Sequence, residues 1–176
     1  MSELSAPALT TEEELVAELE LMGVSYLSRQ TTRPAQSVRP PHQLLADLVR
    51  QPSARVRAAT IAVLLAHPEL AEAVPDALDR LTELEQLTLQ FFYTAAVLLQ
   101  EQYASLLEVL ATNRQVQLPD LFSAMQEVPS QGTLRTRLRR LGNSHRRATG
   151  VMVNWTGTYE HTARQLLRRW KFETQW

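Results

Sequence analysis

Cysteine is absent from this chain, and glycine is scarce, at 5 of 176 residues. Without cysteine there is no disulfide, no thiolate-held zinc and no thiol nucleophile, and a reducing compartment fits. Few glycines beside abundant Ala, Leu, Glu, Gln and Arg favour helix over strand. Lysine is almost missing as well: 17 of the 18 basic residues are arginine, Lys171 being the exception. That bias fits a GC-rich genome as readily as a demand for bidentate contacts. Long apolar runs are lacking too. The longest uncharged stretch, Gln86 to Gln100, contains three glutamines and falls about five residues short of a membrane span. The opening residues, MSELSAPALTTEEE, have neither the basic start nor the apolar core of a secretory signal. The expectation is a cytoplasmic protein with no membrane contact. No H-x3-H, G-x-G-x-x-G, P-loop or G-x-S-x-G pattern occurs, so no metal or other cofactor is expected.

What is present is ordinary in amount and unusual in placement. Apolar content of 44% and charged content of 21% suit one folded domain that buries roughly two-thirds of its unfolded surface. The formal charge of −1 hides a split. Residues 1–110 carry 15 acidic against 7 basic side chains, whereas residues 111–176 carry 4 against 11. A division of this kind points to a polar partner: nucleic acid, an acidic surface, or the chain's own opposite end.

Helical punctuation runs the length of the chain. Thr11 stands at capping-box spacing from Glu14 and opens a helix over 11–29 whose Leu15, Leu19, Met22 and Tyr26 form one apolar stripe. The stretch QTTRPAQSVRPP (30–41) has three prolines and no periodicity, which reads as a linker or long loop. The first helix can therefore pack on its own body, exchange with a second copy to give a homo-oligomer, or dock on another protein. Short helices follow over 42–51 and from Ser53 to His67, and a third over 68–81 should kink or split at Pro75. Residues 83–112 show two adjoining apolar stripes and should form the longest helix, the buried centre of the fold, with Phe91, Phe92 and Tyr93 as core. Pro119 can open a short helix closed by Pro129, and Ser130 can cap a basic helix interrupted at Gly142-Asn143. GVMVNWTGT (150–158) is extended or looped, and a final helix carries the stripe Tyr159, Ala163, Leu166 and Trp170.

The basic tail holds the candidate site. Leu134, Leu138, Leu141 and His145 share one helical face, with Arg135, Arg139 and Arg146 on one flank and Arg137, Arg140 and Arg147 on the other. Arg164, Arg168 and Lys171 form a further row in the final helix, with Arg169 nearby. If the two helices are neighbours they present one cationic surface. Trp155, between them, can stack on a base or cap the core. Phe172 and Trp176 lie off the apolar stripe and suit a docking tip. Glu160 is placed to pair with Arg164 at i+4.

Arg140-Leu-Gly-Asn-Ser-His145 is similar to the R-x4-H spacing of HEPN ribonucleases, small all-α proteins in which such an arginine and histidine serve phosphodiester cleavage. The resemblance covers two residues, and Leu141 stands where that family usually has a polar side chain. It implies that Arg140 and His145 converge. In an unbroken helix they would point about 140° apart, so convergence needs a break at Gly142-Asn143. On the leucine stripe, His145 reads instead as a core histidine.

The sequence thus predicts an all-α bundle of about seven helices around a long central helix, 83–112, with a HEAT-like short-helix array at 42–81. Residues 1–41 would be an acidic helix plus linker, and 42–176 a helical domain with a basic C-terminal part at 130–176. The expected role is a non-catalytic interaction or regulatory subunit of a larger bacterial-type complex, docking a protein partner through its basic face and aromatic tail. The alternatives are a small subunit that holds nucleic-acid phosphates through 131–147 and 159–171, and a HEPN-like ribonuclease.

Overall fold

The Thr11 hydroxyl accepts the Glu14 amide at 3.3 Å and opens α1 (Glu12–Leu21). The structure is a computed structural model that describes residues 11–29, 35–111 and 116–175, and among these it is all-helical. The order continues with α2 (Pro41–Val49), α3 (Ala54–Ala66), a 3-10 helix (Pro68–Ala73), α4 (Val74–Leu78), α5 (Glu83–Gln102), α6 (Ala104–Leu110), α7 (Leu134–Thr149) and α8 (Trp155–Thr174). Caps explain several starts. Ser53 caps α3, and Thr82 with Glu85 closes a complete capping box on α5.

A single core packs around two helices, α3 and α5. α3 is buried from Val56 to Ala66 except at Arg57, and it packs on α5, α8, α2 and α1. A helix apolar on all sides has to be surrounded. The helix expected over 83–112 is divided at Tyr103 into α5 and α6, with the ladder broken and α6 turned onto α8. No proline or glycine marks that break, so periodicity ran straight through it. Beyond Tyr103 the buried face shifts: Leu106 is exposed, while Leu107 is buried and Leu110 packs against the core.

Further expectations need correction. The array at 42–81 has two helices followed by a 3-10 turn and a five-residue α4, because Pro68 and Pro75 admit no third full-length helix. Residues 119–128 form turns rather than a helix: the Asp120 carboxylate captures the Ser123 amide at 3.1 Å, and Glu127 takes a positive φ of 57°. Thr133, not Ser130, caps α7 through the Thr136 amide.

Most consequential is Gly142, which does not interrupt α7. A Cβ built there would lie 2.6 Å from Thr156 Oγ1 and 3.1 Å from the Thr156 backbone nitrogen. The glycine lets the first turn of α8 approach closely. The α7–α8 hairpin itself turns at Gly150, with φ of 71°. Gly142→Ala should therefore destabilise the fold, since overpacking costs on the order of 1–3 kcal/mol against a helix-propensity gain of about 1 kcal/mol. A chemical denaturation midpoint equal to or above that of the parent would refute this close approach.

The first helix joins the same core. Leu15 and Leu19 are fully buried, and His67 Nε2 meets the Met22 carbonyl oxygen at 2.6 Å. Trp170 of α8 donates to the Gly23 carbonyl at 2.7 Å, and Ser25 donates to Glu173 at 2.6 Å. Of the three fates open to this helix, the structure has packing on its own body. Among the described residues no helix is long and apolar enough to cross a membrane.

Candidate functional site

Gly142 and Thr156 mark the line along which α7 and α8 meet, reinforced by the Thr156 hydroxyl donating to the Leu138 carbonyl at 3.4 Å. Helical phase then places the cations. At 100° per residue, Arg135, Arg139 and Arg146 fall within about 60° of the Gly142 direction, on the outer side of the contact. On α8, Arg164 and Lys171 fall within about 80° of Thr156, again on the outer side, with Arg168 beyond them. Along the axis Arg164 is level with the start of α7, about 12 Å from Gly142, so Arg135, Arg139, Arg146 and Arg164 flank one groove, while Arg168 and Lys171 continue the α8 row past the end of α7. All six side chains belong to exposed residues. Arg135 to Arg146 spans about 16 Å along α7, and Arg140 and Arg147 point directly outward from the same helix.

Some of these cations are engaged and others are not. Arg164 pairs with Glu160 at 3.0 Å, as its spacing predicts, and Arg147 meets Glu127 at 3.4 Å. Both pairs are exposed, where such contacts contribute about 0–1 kcal/mol. Arg135, Arg139, Arg140, Arg146, Arg168 and Lys171 make no ion pair among the described residues; Arg146 Nε instead reaches the Met152 sulfur at 3.1 Å. Among the described residues no tail arginine pairs with the glutamates of α1, and Glu18 is held by Arg39 at 2.5 Å. Arg137 does meet a carboxylate of the acidic front, Glu101 at the end of α5.

Three expected members leave the face. Arg137 lies on the α5 side of α7, largely buried, donating to the Pro129 carbonyl at 2.9 Å and to Glu101 at 3.4 Å. Arg169 points to the α1 side of α8, where it donates to Glu173 at 2.9 Å and to the Ser25 hydroxyl at 3.2 Å. Trp155 is the first residue of α8, half-buried, and stacks one face of its indole on His145 with ring centroids 3.6 Å apart. Phe172 is 56% exposed on α8, and Trp176 lies outside the described residues. What sequence reasoning missed is the hairpin tip, Val151, Met152 and Val153, which is exposed beside Arg146. A run of three apolar residues in an expected loop was the available signal.

His145 is a core residue, 1% exposed. Its ring lies between Phe91 (4.5 Å, nearly parallel) and Trp155, with Phe92 at its edge. Tyr159 Oη sits 2.5 Å from Nδ1. Burial raises the Tyr159 phenol well above its ordinary range and pushes the imidazole down to about 3. The phenol therefore keeps its proton and donates to Nδ1, leaving the hydrogen of the neutral ring on Nε2. Arg140 is exposed on the same unbroken helix. The structure does not bring the two residues of the R-x4-H spacing together, because Gly142 continues α7.

A cleft of about 640 Å³ between α3 and α8 is lined by Tyr26, Arg55, Asn154, His161 and Gln165 among others. Its histidine meets Gln165 at 3.2 Å and Arg55 donates to the Tyr26 carbonyl at 3.3 Å. Among the described residues no group of three or more His, Asp or Glu is placed to hold a metal ion. What remains is the cationic groove of the α7–α8 hairpin with its apolar tip, a surface suited to association. Compared with family models, curated proteins and solved structures, the chain matches none of them.

Proposed function

We propose that this chain is a non-catalytic interaction subunit that docks an acidic protein surface on the outer groove of α7 and α8. One observation carries the reading: Arg135, Arg139, Arg146, Arg168 and Lys171 of the two rows, and Arg140 beside them, make no ion pair among the described residues, even though the chain as a whole is nearly neutral. Exposed charge rows set the speed and register of encounter, while a nearby apolar anchor supplies affinity. Val151, Met152 and Val153 provide such an anchor at one end of the groove. Nucleic-acid phosphates are the second reading, favoured by the 16 Å-scale row from Arg135 to Arg146. Against it, Trp155 already stacks one face on His145, which limits the platform a base could use.

Poly-L-glutamate, duplex DNA and single-stranded RNA, each titrated at low and high salt, test both readings. The expected result is salt-sensitive binding of polyglutamate that falls at least about tenfold in Arg135→Gln/Arg139→Gln/Arg140→Gln, consistent with loss of several direct charge contacts. Polyglutamate binding equal in parent and variant would overturn the proposal. Binding of nucleic acid alone, with a log–log salt slope near −0.9 per phosphate held, would transfer the groove to the second reading.

A further inference from the structure

A second charged surface lies on the far side of the molecule. Residues 68–85 carry six acidic side chains against one arginine, Arg80. Glu69 and Glu72 on the 3-10 helix, Asp76 on α4, Asp79 in the turn after it and Glu83 at the start of α5 are all exposed. Glu72, Asp76, Asp79 and Glu83 make no ion pair among the described residues. Within this ridge Leu84 is 58% exposed. An apolar residue set among unpaired acids mirrors the hairpin tip set among unpaired arginines.

Topology keeps the two surfaces apart. The 3-10 helix and α4 pack on α2, and the 3-10 helix also on α3, whereas α7 packs on α5 and α8. Only Glu83 and Leu84 of the ridge belong to α5, the helix on which α7 packs. The acids of the 3-10 helix and α4 stay outside the groove of their own copy. Two copies can bring ridge and groove together, with charge of opposite sign and an apolar contact on each side.

We infer that the acidic partner of the α7–α8 groove is a second copy of this chain, bound through its Glu69–Glu83 ridge. This deepens the reading above and rests on it. The contact is heterologous, ridge to groove, so a docked pair leaves one ridge and one groove free for further copies. Exposed ion pairs are individually weak, so the assembly forms at low ionic strength, where the Debye length is about 30 Å at 0.01 M, and dissolves near 1 M, where it is about 3 Å.

Two sets of neutral substitutions at exposed positions separate the outcomes. Glu72→Gln/Asp76→Asn/Glu83→Gln removes the ridge, and Arg135→Gln/Arg139→Gln/Arg140→Gln removes the groove. Circular dichroism establishes that each variant folds. In sedimentation equilibrium at low salt, the parent should form dimers and larger species, each variant alone should be monomeric, and an equimolar mixture of the two should form a 1:1 dimer and stop there. That mixture retains one intact ridge–groove contact and cannot propagate. A monomeric parent at low salt, or a mixture that stays monomeric, overturns the inference. Polyglutamate binding by a monomeric parent would leave the groove's acidic-partner reading standing and remove only the second copy; failure of both would remove both.

Discussion

Acidification from pH 7 to pH 5 should lower the stability of this protein by about 2 kcal/mol through His145 alone. In the unfolded chain an imidazole takes its proton near pH 6.5. In the folded chain, burial between Phe91 and Trp155 holds the same group down to about 3. Between those values the unfolded state binds more protons, so falling pH favours unfolding. The contribution of the neutral histidine is fully present above pH 6.5 and is lost as pH falls toward 3, a total on the order of 4–5 kcal/mol. Carboxylates also titrate in acid, so the measurement has to isolate one residue. Replacing His145 and its hydrogen-bond partner together, as His145→Phe/Tyr159→Phe, keeps aromatic packing without stranding the phenol. Urea unfolding at pH 7, 6 and 5 should then show a shallower loss of stability in the double variant, by about 2 kcal/mol over that range. Equal slopes in parent and variant would show that the imidazole is not held neutral, and would reopen it to acid–base chemistry.

Arg39→Leu should cost about 3 kcal/mol, because removal of one partner from a desolvated ionic cluster leaves the others uncompensated. Arg39 reaches Glu18 of α1 through Nε at 2.8 Å and Nη2 at 2.5 Å, and Asp47 of α2 through Nη1 at 2.7 Å. Its backbone amide donates to Glu18 as well, at 3.2 Å. All three side chains are largely buried, so the leucine would strip Glu18 of this cation with little water in its place and leave Asp47 only Arg50, at 3.9 Å. The cluster fastens α1 to α2 across a proline-containing segment that otherwise reads as a tether. Substituting all three groups, as Glu18→Leu/Arg39→Met/Asp47→Leu, should recover much of the loss, since well-packed apolar replacements of buried ion clusters are often neutral. A thermal and urea comparison of parent, single and triple variants decides it. A single variant within about 1 kcal/mol of the parent would mean that the cluster is hydrated and that apolar contacts of Leu15 and Leu19 alone hold α1.

Both predictions concern residues whose type was visible in the chain and whose role was not. His145 was correctly placed on the leucine stripe, because i, i+4, i+7 spacing defines a helical face by itself. That its ring would be enclosed by Phe91, 54 positions earlier, and covered by Trp155 could not be read from spacing. Arg39 sat in a stretch without periodicity, so nothing local distinguished it from a solvated loop arginine. The candidate groove was half legible. Helical phase grouped Arg135, Arg139 and Arg146 correctly, yet it could not show that Arg137 turns to Glu101 and Arg169 to Ser25.

The amino-acid sequence alone determined the helical class, the caps at Thr11 and Ser53, the split at Pro75, the Glu160–Arg164 pair and the segregation of charge. These are effects that reach no further than a turn or two of helix, or that depend only on counting. Tertiary structure decided whether a glycine breaks a helix or admits a neighbour, whether an aromatic faces solvent or a histidine, and whether the first helix is tethered or fastened. Gly142 answers to Thr156, Trp155 to His145, and Arg39 to Glu18. Such roles belong to contacts between residues distant in the chain, and close packing, not local propensity, selects which of the available readings each residue takes.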